Sequence, residues 1–175
     1  LSVLAMAEEG GFLPVPEIYM DKIAVGPDVA PEAIDLDKSP GENLNAVAES
    51  MGVAVSDLQV CLLDRPRHSQ LVAAIRETGA RIQLIMDGDV NGAVAPGLAN
   101  SPVDVYIGIG GAPQGVLAAA ALRALGGAMQ GRLVIRNADD GAKARNAGIE
   151  DPDKKLKLEE MAGGHVTLAA TGITH

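Results

Sequence analysis

Aromatic residues are almost missing from this chain. Its 175 residues include two tyrosines, one phenylalanine and no tryptophan, so the core has to be built from Ala, Val, Leu and Ile. With 47% hydrophobic residues and 21 glycines, that mixture favours alternating strands and helices over a β-sandwich. There is one cysteine, Cys61, which excludes a disulfide framework and fits a reducing, cytoplasmic setting. No apolar run reaches the length of a bilayer span, so no membrane partner is expected. Basic residues are outnumbered 14 to 23, for a net charge of −9. A broad nucleic-acid surface is normally basic, and none is expected here. The first residues carry no basic leader and no small-residue cleavage site.

The length suits one domain, with residues 1–175 as a single segment. Residues 1–9 have the composition of a helix ended by Gly10 and Gly11. Ile18 to Val25 is a plausible strand. Pro27, Pro31 and Pro40 mark residues 26–40 as a surface connection. Helix is expected from Glu42 to Met51, with Ser39 as cap and Gly52 as stop. Strand is expected over Leu58 to Leu63, helix over Ser69 to Thr78, strand over Arg81 to Met86, and a short helix over Val90 to Leu98. Strand over Val103 to Ile107 and an alanine-rich helix over Gly115 to Leu125 follow. Arg132 to Ile135 and Val166 to Ala170 read as strands, Asp139 to Ala147 as a charged exposed helix, and Asp151 to Met161 as partly helical. The alternation over residues 58–125 implies parallel crossovers. The fold class is α/β, with a mainly parallel sheet flanked by helices. The chain begins without Met and stops straight after an apolar run, so both ends look like cuts through a longer fold.

Three apolar runs stop abruptly at charged or glycine-rich residues. In an open α/β sheet, ligands bind beyond the carboxyl ends of the strands. The first run ends in Asp64-Arg65-Pro66-Arg67-His68. Pro66 stiffens the turn and pushes Arg65 towards an extended backbone, and paired guanidinium forks suit a phosphate. The alternative is a solvated turn with surface arginines. His68 fits a helix start or a structural role better than catalysis. The second run ends in Asp87-Gly88-Asp89, two carboxylates able to hold sugar hydroxyls or a hard cation. A helix-cap role is at least as natural for Asp89. The third leads into Gly108 to Gly115, a glycine turn that would let a phosphate or sugar approach the backbone. Its spacing fits neither the dinucleotide fingerprint nor a P-loop, which disfavours a nucleotide-dependent oxidoreductase. Tyr19 and Asp21 share one strand face, with Met20 and Lys22 on the other. Tyr19 is either a ligand contact or a half-buried strand residue.

Seven segments occur in a particular order: Tyr19 to Pro27, Asp64 to His68, Gly79 to Ile82, Asp87 to Val90, Gly108 to Pro113, Met129 to Leu133 and Ala170 to Thr174. Together they resemble class II fructose-1,6-bisphosphatase, the bacterial type, some members of which also hydrolyse sedoheptulose 1,7-bisphosphate. The resemblance covers essentially the whole chain. It implies a layered sugar-phosphatase fold, Mg²⁺ or Mn²⁺ dependence, release of the 1-phosphate, and a place in gluconeogenesis, glycerol metabolism or the Calvin cycle. It implies substrate contacts at Tyr19, Arg65, Pro66, Arg67, Asp87, Gly88, Asp89 and Gly111, and a homo-oligomer. Two departures stand out. Gln114 occupies the position of a metal-ligand glutamate, and a carboxamide keeps an oxygen but loses the charge. The other metal carboxylates of the family lie upstream of this segment. The alternative function is a non-catalytic sugar-phosphate-binding module.

Overall fold

The computed structural model describes residues 2–172. In chain order its elements are strands β1 (Ser2–Ala7) and β2 (Tyr19–Val25), helix α1 (Pro40–Met51), β3 (Gln59–Leu63), α2 (Ser69–Glu77), β4 (Arg81–Ile85) and α3 (Asp89–Val94). Then come β5 (Val105–Gly111), α4 (Ala112–Leu125), β6 (Ala128–Val134), α5 (Ala138–Asn146), β7 (Leu156–Lys157), α6 (Leu158–Met161) and β8 (Val166–Thr171). Single 3₁₀ turns sit at Pro31–Ala33, Val55–Asp57, Pro66–His68 and Ala95–Gly97.

Local chemistry explains the elements that the sequence pattern anticipates. Ser39 caps α1 reciprocally: the Glu42 N–H donates to its Oγ at 3.2 Å, and the Ser39 N–H donates to Glu42 Oε2 at 2.9 Å. Such a cap is worth about 1 kcal/mol. Gly52, at φ +69°, closes the helix in the left-handed conformation. In α4 the run Ala118 to Leu122 is fully buried, because small side chains let the helix lie close to its neighbours on several sides.

Six strands form one sheet in the order β4-β3-β5-β2-β6-β7. β3 pairs parallel with both β4 and β5, as the strand–helix alternation implies. The expectation of a mainly parallel sheet is corrected, however. β2 inserts antiparallel between β5 and β6, and β7 is antiparallel to β6, so three of the five pairings are antiparallel. Crossover logic applies to consecutive strands, and β2 precedes that series while pairing with residues eighty or more positions later.

The two sheet faces bury separate aliphatic clusters. Ile23, Val25, Val60, Leu62, Val105 and Ile107 pack with Leu44, Val47 and Ile75 of α1 and α2. Met20, Ala24, Cys61, Tyr106, Met129 and Leu133 pack with residues of α3, α4 and α6. On the outer side of α4 lies a ribbon of β1 and β8, paired antiparallel from Ser2↔Thr171 to Ala7↔Val166. Helices, sheet, helices and ribbon thus stack in layers.

That ribbon overturns the helix expected over residues 1–9. The Leu, Ala and Met there favour helix intrinsically, but backbone pairing with β8 decides the conformation. Residues 26–40 are likewise more than a surface connection. Val29 and Ile34 are buried, and the buried Asn43 amide clamps the segment. Its Oδ1 accepts from the Asp35 N–H at 2.7 Å, and its Nδ2 donates to Asp35 O at 2.9 Å. Lys155 ties Asp35 and Asp37 down, each at 2.6 Å. The expected glycine turn at Gly108 to Gly115 is also absent. β5 continues through Gly111, and α4 starts at Ala112 with no intervening loop.

Candidate functional site

Because β3, β4, β5 and β6 all run the same way, their carboxyl ends share one rim. Antiparallel β2 brings its first residue to that rim: Tyr19 pairs with Gly111 at the end of β5 and with Val134 at the end of β6. A cleft of about 720 Å³ opens there. Tyr19, Arg65, Arg67, Asp87, Gly88, Asp89, Gly111 and Gln114 all line it. Of the residues expected at a site, only Pro66 is not part of the lining.

One wall is cationic. Pro66 holds Arg65 extended, at φ −140° and ψ 144°. Arg67 donates to Ile109 O through Nε at 3.1 Å and Nη2 at 2.7 Å, and its guanidinium lies 4.8 Å from the centre of the Tyr19 ring. His68 supports this wall from inside. Buried at 2% exposure, its ring places Nδ1 2.8 Å from Leu63 O, and Nε2 accepts from the Ile109 N–H at 2.9 Å. Both ring nitrogens are used to tie β3 to β5, so His68 is structural, as its position before a helix suggests.

The facing wall is acidic. Gly88 adopts φ +90°, a conformation open to glycine, and its N–H donates to Asp87 Oδ1 at 2.8 Å. The cap role considered for Asp89 is not found: Gly88 is the N-cap of α3, without a side-chain cap bond. Instead the Asp89 carboxylate accepts from Lys22 Nζ and from Tyr106 Oη. Lys22 also donates to Gly111 O at 3.2 Å. Burial pulls the Lys22 ammonium below its ordinary pKa, and the Asp89 charge works against that pull. Burial, then Asp89, pushes the Tyr106 phenol upward. Gly110 lies beneath, and a Cβ there would land on the Asp89 carboxylate. The motif pattern does not assign Lys22 and Tyr106 to the site. A signal is present for both, since each stands on an otherwise apolar strand face and needs a polar partner.

The only cysteine takes no part. Cys61 is buried, and desolvation pushes its thiol up to about 11, so thiolate chemistry is suppressed.

A hard divalent cation takes several oxygen ligands, carboxylates prominent among them. The lining residues do not make that set. Asp89 is engaged by Lys22 and Tyr106, Gln114 contributes a neutral carboxamide from the first turn of α4, and Asp87 adds one carboxylate. Among the described residues, no three His, Cys, Asp or Glu side chains stand close enough to share an ion. The described residues alone therefore do not fit Mg²⁺ or Mn²⁺.

Comparison with known proteins finds relatives over the whole chain. A family model described as bacterial fructose-1,6-bisphosphatase, glpX-encoded, matches residues 1–175. A protein of Trichodesmium erythraeum (strain IMS101), named D-fructose 1,6-bisphosphatase class 2/sedoheptulose 1,7-bisphosphatase, is 45% identical over 187 residues. That match covers 99% of this chain and 54% of the relative. A protein of the same name from Synechococcus sp. (strain RCC307) is 46% identical over 188 residues, covering 99% of this chain and 56% of the relative. The chain thus spans about half the length of the curated relatives it matches. Among the described residues no helix is long and apolar enough to cross a membrane.

Proposed function

The chain belongs to the bacterial, glpX-encoded fructose-1,6-bisphosphatase family, and from that premise we propose that its cleft recognises a sugar bisphosphate for hydrolytic removal of the 1-phosphate. The substrate class is fructose 1,6-bisphosphate or sedoheptulose 1,7-bisphosphate. One observation carries the reading: two arginines, two aspartates, a tyrosine and a glycine from four separate chain segments line a single cleft.

In this reading Arg65 and Arg67 bind a phosphate and neutralise charge that builds on the transferring group. Asp87 and Asp89 accept hydrogen bonds from sugar hydroxyls, and Lys22 and Tyr106 hold Asp89 in place to do so. Tyr19 donates its phenol to the ligand. Gly111, without a side chain, lets the sugar lie against β5. Mg²⁺ or Mn²⁺ dependence belongs to the same proposal, with carboxylate ligands supplied by sequence that the longer relatives have and this chain does not contain. So do a cytoplasmic setting, a role in gluconeogenesis, glycerol metabolism or carbon fixation, and a homo-oligomer. β4, an outermost strand of the sheet, offers an edge for assembly.

A second reading is favoured by the donor set at the cleft. With recognition residues assembled and, among the described residues, no three-donor cluster beside them, the 175-residue chain is a sugar-phosphate-binding module that does not turn over. One pair of measurements tests both readings. Calorimetric titration with fructose 1,6-bisphosphate is expected to show binding, and phosphate release with Mn²⁺ is expected to be small. Absence of binding overturns the sugar-bisphosphate assignment. Turnover equal to that of a full-length family member overturns the binding-module reading.

A further inference from the structure

Arg136 is absorbed by none of the roles above. It lies two residues past the end of β6, and so stands at the same rim as Arg67. Its guanidinium lies 4.4 Å from the Tyr19 ring centre, and that of Arg67 lies 4.8 Å from the same point. Arg136 is anchored from behind by Asp140. Nε donates to Oδ2 at 2.9 Å and Nη2 to Oδ1 at 3.3 Å, and the Asp140 side chain is only 3% exposed while that of Arg136 is 48% exposed. Asp140 is itself fixed, accepting the Arg136 N–H at 3.2 Å and donating its own N–H to Asn137 Oδ1 at 2.9 Å. An arginine has five N–H donors. Two are spent on Asp140, and three remain on the exposed side.

Those donors face a second cleft, of about 450 Å³, lined by Arg136, Glu17, Ile18 and Pro113 together with Tyr19, Gly111 and Gln114. The last three also line the larger cleft, so the two spaces adjoin across them. Arg65 and Arg67 line only the first, and Arg136 only the second. A rigidly held guanidinium is pre-organised for an anionic oxygen cluster. Glu17 lines the same cleft, and a carboxylate there can accept a hydrogen bond from a sugar hydroxyl.

We propose that Arg136 forms a second phosphate subsite, so that one ligand bearing two separated phosphates spans Tyr19 from Arg65 and Arg67 to Arg136. The inference rests on the sugar-bisphosphate reading and deepens it by making Arg136 the residue that tells a bisphosphate from a monophosphate. The test is calorimetric titration of the 175-residue chain with fructose 1,6-bisphosphate, fructose 1-phosphate and fructose 6-phosphate. Arg136→Gln should weaken the bisphosphate at least tenfold, while the tighter monophosphate, seated at Arg65 and Arg67, stays within twofold of wild type. Arg67→Gln should weaken both. Because Arg136→Gln leaves the Asp140 charge buried and unpaired, the double variant Arg136→Gln/Asp140→Asn is titrated beside it and should show the same selective loss. Unchanged bisphosphate affinity in Arg136→Gln overturns the subsite and leaves the sugar-bisphosphate reading standing. Equal weakening of all three ligands also overturns it, because it assigns Arg136 a structural role through Tyr19. A wild-type chain that binds none of the three overturns both.

Discussion

Lys22 on β2 donates to the carboxylate of Asp89 at the start of α3, sixty-seven residues further along the chain. Their side chains are 1% and 11% exposed. Removing one partner leaves the other charge buried alone, at a cost of about 3–5 kcal/mol. Lys22→Met should therefore lose about that much unfolding free energy in urea titrations, and Lys22→Met/Asp89→Leu should recover part of it. A single variant as stable as wild type would show that the pair holds nothing together.

Gly110 has no room for a methyl group, because its Cβ direction points at the Asp89 carboxylate and that carboxylate is held by Lys22 and Tyr106. Overpacking of this kind costs about 1–3 kcal/mol. Gly110→Ala should lower stability by that amount and weaken fructose 1,6-bisphosphate binding as well, measured by denaturation and by calorimetry. Full retention of both would mean that Asp89 can move freely.

Arg67 and Asp139 are both exposed charged residues, but only Arg67 lines the cleft. Asp139 pairs with Lys143 at 2.7 Å on the outer surface of α5. A lost charge-assisted hydrogen bond is worth about 1.5–3 kcal/mol, so Arg67→Ala should weaken bisphosphate binding by about tenfold or more. Asp139→Ala should leave it near wild type. Equal effects would count against the phosphate placement.

Asp21 offers a pH signature. Burial raises its carboxyl pKa above the ordinary 3.8, with Lys22 and Arg132 opposing. The folded state therefore holds the Asp21 proton more tightly than the unfolded state does, and stability falls as pH rises from 3.8 through the raised value. Asp21→Asn removes that penalty. It should be the more stable protein at pH 7, with its advantage closing as pH drops below 3.8. An advantage that grows towards low pH would reverse the sign and refute the assignment.

His68→Leu should be costly without touching ligand directly. It strands the Ile109 N–H and the Leu63 carbonyl, and a buried unpaired group costs about 1–3 kcal/mol. Thermal melting should register the loss. An unchanged melting temperature would mean that water replaces the imidazole at both ends.

Much of the rim is legible in the sequence because β3, β4 and β5 follow one another with helices between, so parallel neighbours and a shared carboxyl edge follow from chain order. The pairing of β2 is not legible. Its partners at Gly111 and Val134 lie about a hundred residues away, and no local pattern records them. The strand at Ser2–Ala7 is hidden for the same reason, since Leu, Ala and Met suit a helix until β8 arrives. Lys22 and Tyr106 carry a readable signal, a polar group on an apolar strand face, but its partner Asp89 becomes clear only when α3 is laid over the sheet. Arg136 carries no motif at all and gains meaning only from the ring it lies over.

The passage of β5 into α4 without a loop has a mechanical consequence. Gly111 and Gln114 sit on either side of that junction, where neither can shift unless strand and helix move as one piece. A guest molecule pressing on either residue would be felt along the full length of α4 and in the β1–β8 ribbon packed on it, whose Val3 also lines the larger cleft. Amide-exchange slowing on ligand addition should accordingly reach Val166–Thr171, a stretch that lines neither cleft.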